Sequence, residues 1–538
     1  MDTATTLATL LDLVITPRPG ALDRETTAAI LDEAGKFSSR FLTDQAALRD
    51  REGCRLVDGR VKTPTGHRDA WRAYGEAGWA GLTTPEAVGG QALSITLASA
   101  VQETFDAADP AFGMLAINVR CATRLLQSHG DADLRADWLP QLSNGNWAAT
   151  ICISEPQAGS DVGRIRTRAE EGGDGTWRLT GEKCWISYGD HDLTERIGHF
   201  FLARPRDAVE GTRGLSLFLV PNTLDNGALN GVSTIRIEEK LGLHASPTCS
   251  LAFEDAVGYL IGPEGRGLPT LFTMIESMRL GVAVQGAAVA QASAAVAEDY
   301  AHDRKQGGPP DQPPISIMAH AEVRRLLLSS RIRAESARLI ALETASAVDA
   351  GSAGDEMANE RAGMLLPLAK SFGADAAFAN ASAAIQVLGG AGYVNDWPVE
   401  RMLRDCRIFS IYEGTTAIQG LDLLQRRVLG RNGPAPLERL LSHLEPEAEL
   451  ARLVEDLTAG LAAGSPAVRE AAAVPFMEIL GIVAADGLLR RAGRQAGPLA
   501  ARYGTMADFH AVEAQSRCEA LADRCSRGDI GPYFERIF

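Results

Sequence analysis

Glu413 stands between Tyr412 and Gly414, after an apolar stretch from Ile408 to Ile411 and directly before Thr415-Thr416. Thr415 suits the N-cap of a helix carrying Ile418, Leu421, Leu424 and Val428 on one side. Gly414 allows a tight turn, so Glu413 would project from that turn above an apolar wall. A carboxylate held in such surroundings has a raised pKa and can act as a general base. A solvated residue ahead of a helix is the plainer reading. Two other islands carry polar groups at short spacing. The stretch Ile151 to Val162 contains Ser154-Glu155-Pro156 and Ala158-Gly159-Ser160-Asp161, a strand entering a turn that by itself is a surface loop. Lys183 to Gly189 places Trp185 and Ser187 on one face of a strand, where a tryptophan usually belongs to a core.

Other chemistries find little support. Eight cysteines lie at 54, 121, 152, 184, 249, 406, 518 and 525, with no CxxC spacing and no companion histidines. They read as buried free thiols, so neither a metal site nor a catalytic cysteine is expected. There is no HExxH, P-loop or GxSxG, and Gly262 to Gly267 lacks the dinucleotide fingerprint. The net charge of −16 opposes nonspecific binding to nucleic acid or an anionic membrane. The first residues lack a basic leader pattern, and no run approaches ~20 consecutive apolar residues. A cytoplasmic, soluble protein is expected.

The elements that must position these islands follow from periodicity. Leu7, Leu10, Leu11 and Val14, and then Leu93, Leu97, Val101 and Phe105, recur at helical spacing, giving an N-terminal helical domain over 1–145. Over 146–262 short β-rich runs alternate with Gly, Pro and Asn. They include Ala148–Ile153, two halves of 176–186 about a Gly181-Glu182 turn, Phe200–Ala203, Leu215–Val220, Ser233–Ile237 and Ser250–Phe253. A compact antiparallel β domain is expected. Long Ala-rich amphipathic runs over 268–304, 319–350, 358–388 and 415–429 predict a helical bundle across 263–430, with a loop at 306–314. A helical extension fills 431–538, so the class is mainly α with a central β domain.

Taken together, the islands resemble the acyl-CoA dehydrogenase family over roughly residues 25–430. Ser154 to Val162 is similar to its [TS]-E-P-x-A-G-S-D signature, and Lys183 to Gly189 to its K-x-W-I-[TS]-x-G strand. Gln386 to Tyr393 is similar to Q-x-x-G-G-x-G-[YF], and Arg404 to Thr416 to R-D-x-R-I-x-x-I-Y-E-G-T. The Lys240–Cys249 segment, the insert after Gln306 and the extension resemble a larger subgroup that acts on 3-methylmercaptopropionyl-CoA and fatty acyl-CoA. Gly307-Gly308 stand where many members carry Phe-Gly, so that family's aromatic contact to the flavin nucleotide is not expected here.

The resemblance implies a helical domain, an antiparallel β domain and a four-helix bundle around FAD. It implies that Ser154, Trp185 and Ser187 contact the flavin ring. Arg304, Gln386, Gly389 and Gly390 would hold the pyrophosphate and adenosine of a flavin in the neighbouring subunit, and Thr415 would reach the nucleotide. Ser160, Glu276 and Arg279 fall where the family contacts acyl-CoA; a helical surface pair is the alternative for the last two. Glu413 would take the α-proton while the β-hydrogen leaves as hydride, giving a trans-2-enoyl-CoA. An electron-transfer flavoprotein would receive the electrons, and a homodimer would share each flavin. The helix after Asp109-Pro110, with Ile117 and Cys121, is expected near the pocket floor, where Arg120 would meet a polar acyl end or else lie on the surface.

An oxidase that returns electrons to oxygen fits the same residues. Some relatives with C-terminal extensions bind DNA and have been linked to alkylation damage. Residues 431–538 hold 12 Arg and no Lys against 15 acidic residues, and Arg490, Arg491 and Arg494 read as a solvated helix face. Nitroalkane oxidation would place Asp where Glu413 stands.

Overall fold

The computed structural model describes residues 2–528 and 530–537. Near the N-terminus, Asp2 accepts from the Thr5 N–H at 2.7 Å and starts the Thr3–Leu13 helix, whose Leu7, Leu10 and Leu11 are buried. Pro110, just after the capping Asp109, opens Pro110–His129. The helical reading overlooks a hairpin, β1 (Arg55–Val57) and β2 (Arg60–Lys62). Its turn, Asp58-Gly59, has φ of 50° and 74°, the Asp-Gly signal of a two-residue hairpin turn.

The β region comprises β3 (Trp147–Cys152), β4 (Arg168–Glu171), β5 (Trp177–Ser187), β6 (Arg196–Pro205), β7 (Ser216–Pro221), β8 (Val232–Ile237) and β9 (Thr248–Ile261). It is mostly antiparallel, as expected, with β6 alone running parallel to two neighbours, β3 and β4. Pairing along β6–β4–β5–β9–β7 returns to β6, so these five strands close on themselves, with β3 and β8 attached outside. Phe201, Phe218, Leu251 and Phe253 fill the interior. Gly181 makes no turn. It lies within β5 at a register shift against β9, where a Cβ would come 2.4 Å from Thr167 Cγ2.

The bundle is built from Gly267–Asp303, Ala321–Ser352 and Glu356–Leu388. The expected helix over 415–429 is instead Thr416–Leu421 followed by a π-helical stretch, Asp422–Val428. That widening keeps Leu423, Leu424 and Val428 buried and leaves Asp422 on Arg279 at 3.0 Å. In the extension, Pro466–Gln495 packs on Ala500–Ser526 and on the bundle helices Ala321–Ser352 and Glu356–Leu388. Close approach needs glycine: a Cβ on Gly420 would lie 2.8 Å from Ala473 O. Gly267–Asp303 and Pro466–Gln495 are long and apolar enough to cross a membrane, yet 83% and 89% of their most apolar windows are buried, as in core helices.

Arg491 corrects the solvated-face reading of the arginine cluster. It is buried, with Nη1 3.2 Å from Glu343 Oε2 and Nη2 donating to His443 O at 2.6 Å. Arg490 pairs with Asp486 and Glu447, and Arg494 with Glu445. Contacts divide the chain into two units. One holds residues 1–36, 95–107 and 279–538, the other 37–94 and 108–278.

Candidate active site

In the β-bearing unit, a buried ion pair joins two of the sequence islands. Lys183 Nζ lies 2.9 Å from Glu155 Oε1 and donates to Ile153 O and Leu202 O. Glu155 also accepts from the N–H groups of Arg166 and Thr167. Beside it, Cys184 N–H donates to Ser154 O at 3.0 Å, so the strand bearing Trp185 and the loop bearing Ser154 are zipped together. Trp185 has φ 63° and is 62% exposed, which rules out its reading as a core tryptophan. It interrupts the β5–β9 register between Lys183 and Ile186. A left-handed backbone at a bulky residue is costly, which makes Trp185 a candidate functional position. Ser187 closes the same strand, its carbonyl held by Asn118 Nδ2 at 3.2 Å, while the buried Asn118 Oδ1 has no partner among the described residues. Ile117 and Cys121 are buried and Arg120 half-buried on that helix. Ser160 is exposed on the loop after Ser154, and Glu276 is half-buried on Gly267–Asp303.

In the bundle-bearing unit, Glu413 also has a left-handed backbone, φ 55°, followed by Gly414 at 89°. The turn is gripped from several sides. Tyr412 Oη donates to Gln285 Oε1 at 2.6 Å, and Gln419 Nε2 donates to the carbonyls of Glu413 and Gly414 at 2.9 and 3.2 Å. Lys370 Nζ donates to Gly414 O at 2.8 Å. Thr415 caps the following helix through its hydroxyl, as the sequence predicts. Burial pushes the Glu413 carboxyl above the ordinary glutamate range, and the charges of Lys370 and Arg279 pull it back. Arg279 is buried against Asp422, not a surface partner of Glu276.

At another end of this unit, Ala301, Ile317, Val387 and Leu388 share one apolar cluster. The chain termini of Gly267–Asp303 and Glu356–Leu388 therefore emerge together, with Arg304, Gln386, Gly389 and Gly390 all exposed. A Cβ on Gly389 or Gly390 would meet nothing within 4 Å, an open cradle into which backbone could admit a phosphate-linked group. Trp185 thus offers an exposed aromatic face in the β-bearing unit, and Gly389 and Gly390 an open backbone in the bundle-bearing one. Residues that sequence reasoning overlooked are Lys370, Gln285, Gln419, Asn118 and the Glu155–Lys183 pair. The available signal for Lys370 is a single charge directly after the apolar run Leu365–Ala369.

Three family models match in succession: acyl-CoA dehydrogenase, N-terminal domain over 24–146, middle domain over 150–256 and C-terminal domain over 265–429. A 3-methylmercaptopropionyl-CoA dehydrogenase of Ruegeria pomeroyi is 38% identical over 424 residues, 77% of this chain and 72% of the relative. An acyl-CoA dehydrogenase of Bacillus anthracis, solved with FAD, shares the fold with a TM-score of 0.78 at 20% identity, covering 96% of this chain and 91% of that one. A chain from the structure described for the electron transferring flavoprotein of Acidaminococcus fermentans has a TM-score of 0.63 at 26% identity, covering 73% and 96%.

Proposed function

The chain belongs to the acyl-CoA dehydrogenase family, and from that premise we propose that Glu413 is the base in its reaction. The protein is an oxidoreductase that performs FAD-dependent dehydrogenation of an acyl-CoA thioester. The observation that carries the proposal is a glutamate on a left-handed turn whose carboxyl is raised by burial and takes no hydrogen bond from the described residues. Such a carboxylate keeps its lone pairs open for a proton.

Glu413 takes the α-proton of the thioester. Its backbone N–H donates to the thioester carbonyl as negative charge builds there. FAD, when bound, would supply the acceptor for the β-hydrogen, which leaves the substrate as hydride. The overall product is a trans-2-enoyl-CoA. Ser154, Trp185 and Ser187 would hold the flavin ring. Arg304, Gln386, Gly389 and Gly390 would hold the pyrophosphate and adenosine of a flavin in the neighbouring subunit of a homodimer, and Thr415 would reach the nucleotide. Ser160, Glu276 and Arg279 contact the acyl-CoA. The openness of Trp185 and of the glycine cradle supports these assignments.

The electron acceptor is an electron-transfer flavoprotein, a reading supported by the likeness to the Acidaminococcus chain. A cytoplasmic location accords with the acidic composition. The four segments 1–145, 146–262, 263–430 and 431–538 are its functional divisions. The test is a panel of acyl-CoA thioesters varying in length and polarity, assayed with an artificial electron acceptor. Turnover on none of them would overturn the reading. Oxygen consumption without an added acceptor would mark an oxidase.

A further inference from the structure

Lys370 is fully buried in Glu356–Leu388, in a stretch otherwise made of Leu, Pro, Ala, Ser and Phe. An ammonium is costly to bury and is retained where it has a partner. Its hydrogen bond goes to the Gly414 carbonyl, 44 residues along the chain, at 2.8 Å. That carbonyl belongs to the two-residue left-handed turn, Glu413 at φ 55° and Gly414 at 89°. A left-handed conformation costs a non-glycine residue about 1–2 kcal/mol, so neighbours must hold it. Gln419 already supplies a neutral grip from the following helix, donating to both carbonyls of the turn. Lys370 is different in kind: it grips from another helix and carries charge.

Resting on the reading of Glu413 as the base, we propose that Lys370 is its positioning residue. It fixes the turn through the Gly414 carbonyl and places a positive charge beside the carboxylate without bonding to it. A direct Lys–Glu hydrogen bond would occupy the lone pair that must accept a proton. Bonding to the backbone leaves that lone pair open while the charge still favours ionisation. The charged groups facing Lys370 are Glu413 from the turn, Asp375 from its own helix and Arg279 from Gly267–Asp303. Arg279 is paired with Asp422, and Asp375 is flanked by Glu478 and Arg407.

The flavin-loaded protein, Lys370→Met and Lys370→Arg would be compared with octanoyl-CoA and an artificial acceptor from pH 5 to 9. Exchange of the substrate α-hydrogen in D2O, followed by NMR, gives a readout independent of electron transfer. Loss of the charge should move the acid limb of both profiles upward by about one pH unit. Lys370→Arg should leave the limb near its wild-type position. If Lys370→Met does not fold, Lys370→Gln removes the charge while keeping a donor for Gly414 O, and the same shift is expected. A lower melting temperature with an unmoved acid limb would overturn the proposal, because a purely structural lysine lowers rate and stability without moving a titration. Glu413→Gln in the same exchange assay separates the two ideas: wild-type exchange there removes Glu413 as base, whatever Lys370 does.

Discussion

Lys183 Nζ and Glu155 Oε1 meet at 2.9 Å, with their side chains 0% and 3% exposed, and this pair ties the Ser154 loop to the Trp185 strand. Breaking a buried pair leaves one charge without compensation, at a cost of about 3–5 kcal/mol. We expect Lys183→Met to lower the melting temperature and to reduce the flavin retained through purification. Lys183→Met combined with Glu155→Leu should recover part of the stability, since no buried charge remains. A single variant that melts with wild type would show the pair to be dispensable.

Glu343 binds three groups of its own unit. Its carboxylate accepts from Thr16 Oγ1 at 2.6 Å, lies 2.6 Å from His443 Nε2 and takes Arg491 at 3.2 Å. Burial alone would raise its carboxyl, but these partners hold it down at about 2, against an ordinary 4.5. The folded-state pKa is depressed, so the stabilisation is fully present above about 4.5 and is lost as pH falls toward 2. At neutral pH it is on the order of 3 kcal/mol. Glu343→Gln should therefore melt well below wild type at pH 7, with the difference shrinking between pH 4 and 2.5. A constant difference across that range would remove the ionised carboxylate as the cause.

The parts of this protein legible in its sequence are those whose partners lie close in the chain. Thr415 caps a helix three residues on, and the Pro-Gly run at 306–314 breaks one where it stands. What stayed hidden depends on distant partners. Arg491 resembles a solvated face until Glu343, 148 positions away, is seen against it. Strand β6 is visible as an apolar run, but its parallel alignment with β3 is decided by how the chain returns across the sheet. Trp185 looked like core because its residue type says so; its left-handed backbone turns it outward. Periodicity reports which face is apolar and leaves open what covers it.

The proposed sharing of a flavin between subunits sets an expectation for assembly. Arg304 and Gln386 belong to the bundle-bearing unit, and Ser154 and Trp185 to the β-bearing one. The extension lays Pro466–Gln495 on the bundle helices, and we propose that it caps a face that could otherwise join dimers into a tetramer. Light scattering on the flavin-loaded protein should therefore give a homodimer. A flavin-loaded monomer would sink the shared site, whereas a tetramer would sink only the capping role of the extension.

Glu413 should set the acid side of the activity profile. Burial raises its carboxyl above the ordinary glutamate value, with Lys370 and Arg279 limiting the rise. A base works only when deprotonated, so kcat should fall as pH drops through this raised value, higher than for an exposed glutamate. Glu413→Gln retains the volume and a hydrogen-bonding end but has no lone pair basic enough to hold the α-proton. Because Lys370, Gln419 and Gln285 grip the turn through Gly414, the Glu413 carbonyl and Tyr412, the variant should keep its fold, its flavin and its affinity for acyl-CoA. Turnover should fall by a factor of roughly 10² or more, the usual consequence of losing a general base. Mixed anaerobically with substrate, the variant should keep the absorbance of oxidised flavin, whereas wild type bleaches. Bleaching of the variant at close to the wild-type rate would mean that another carboxylate takes the α-proton.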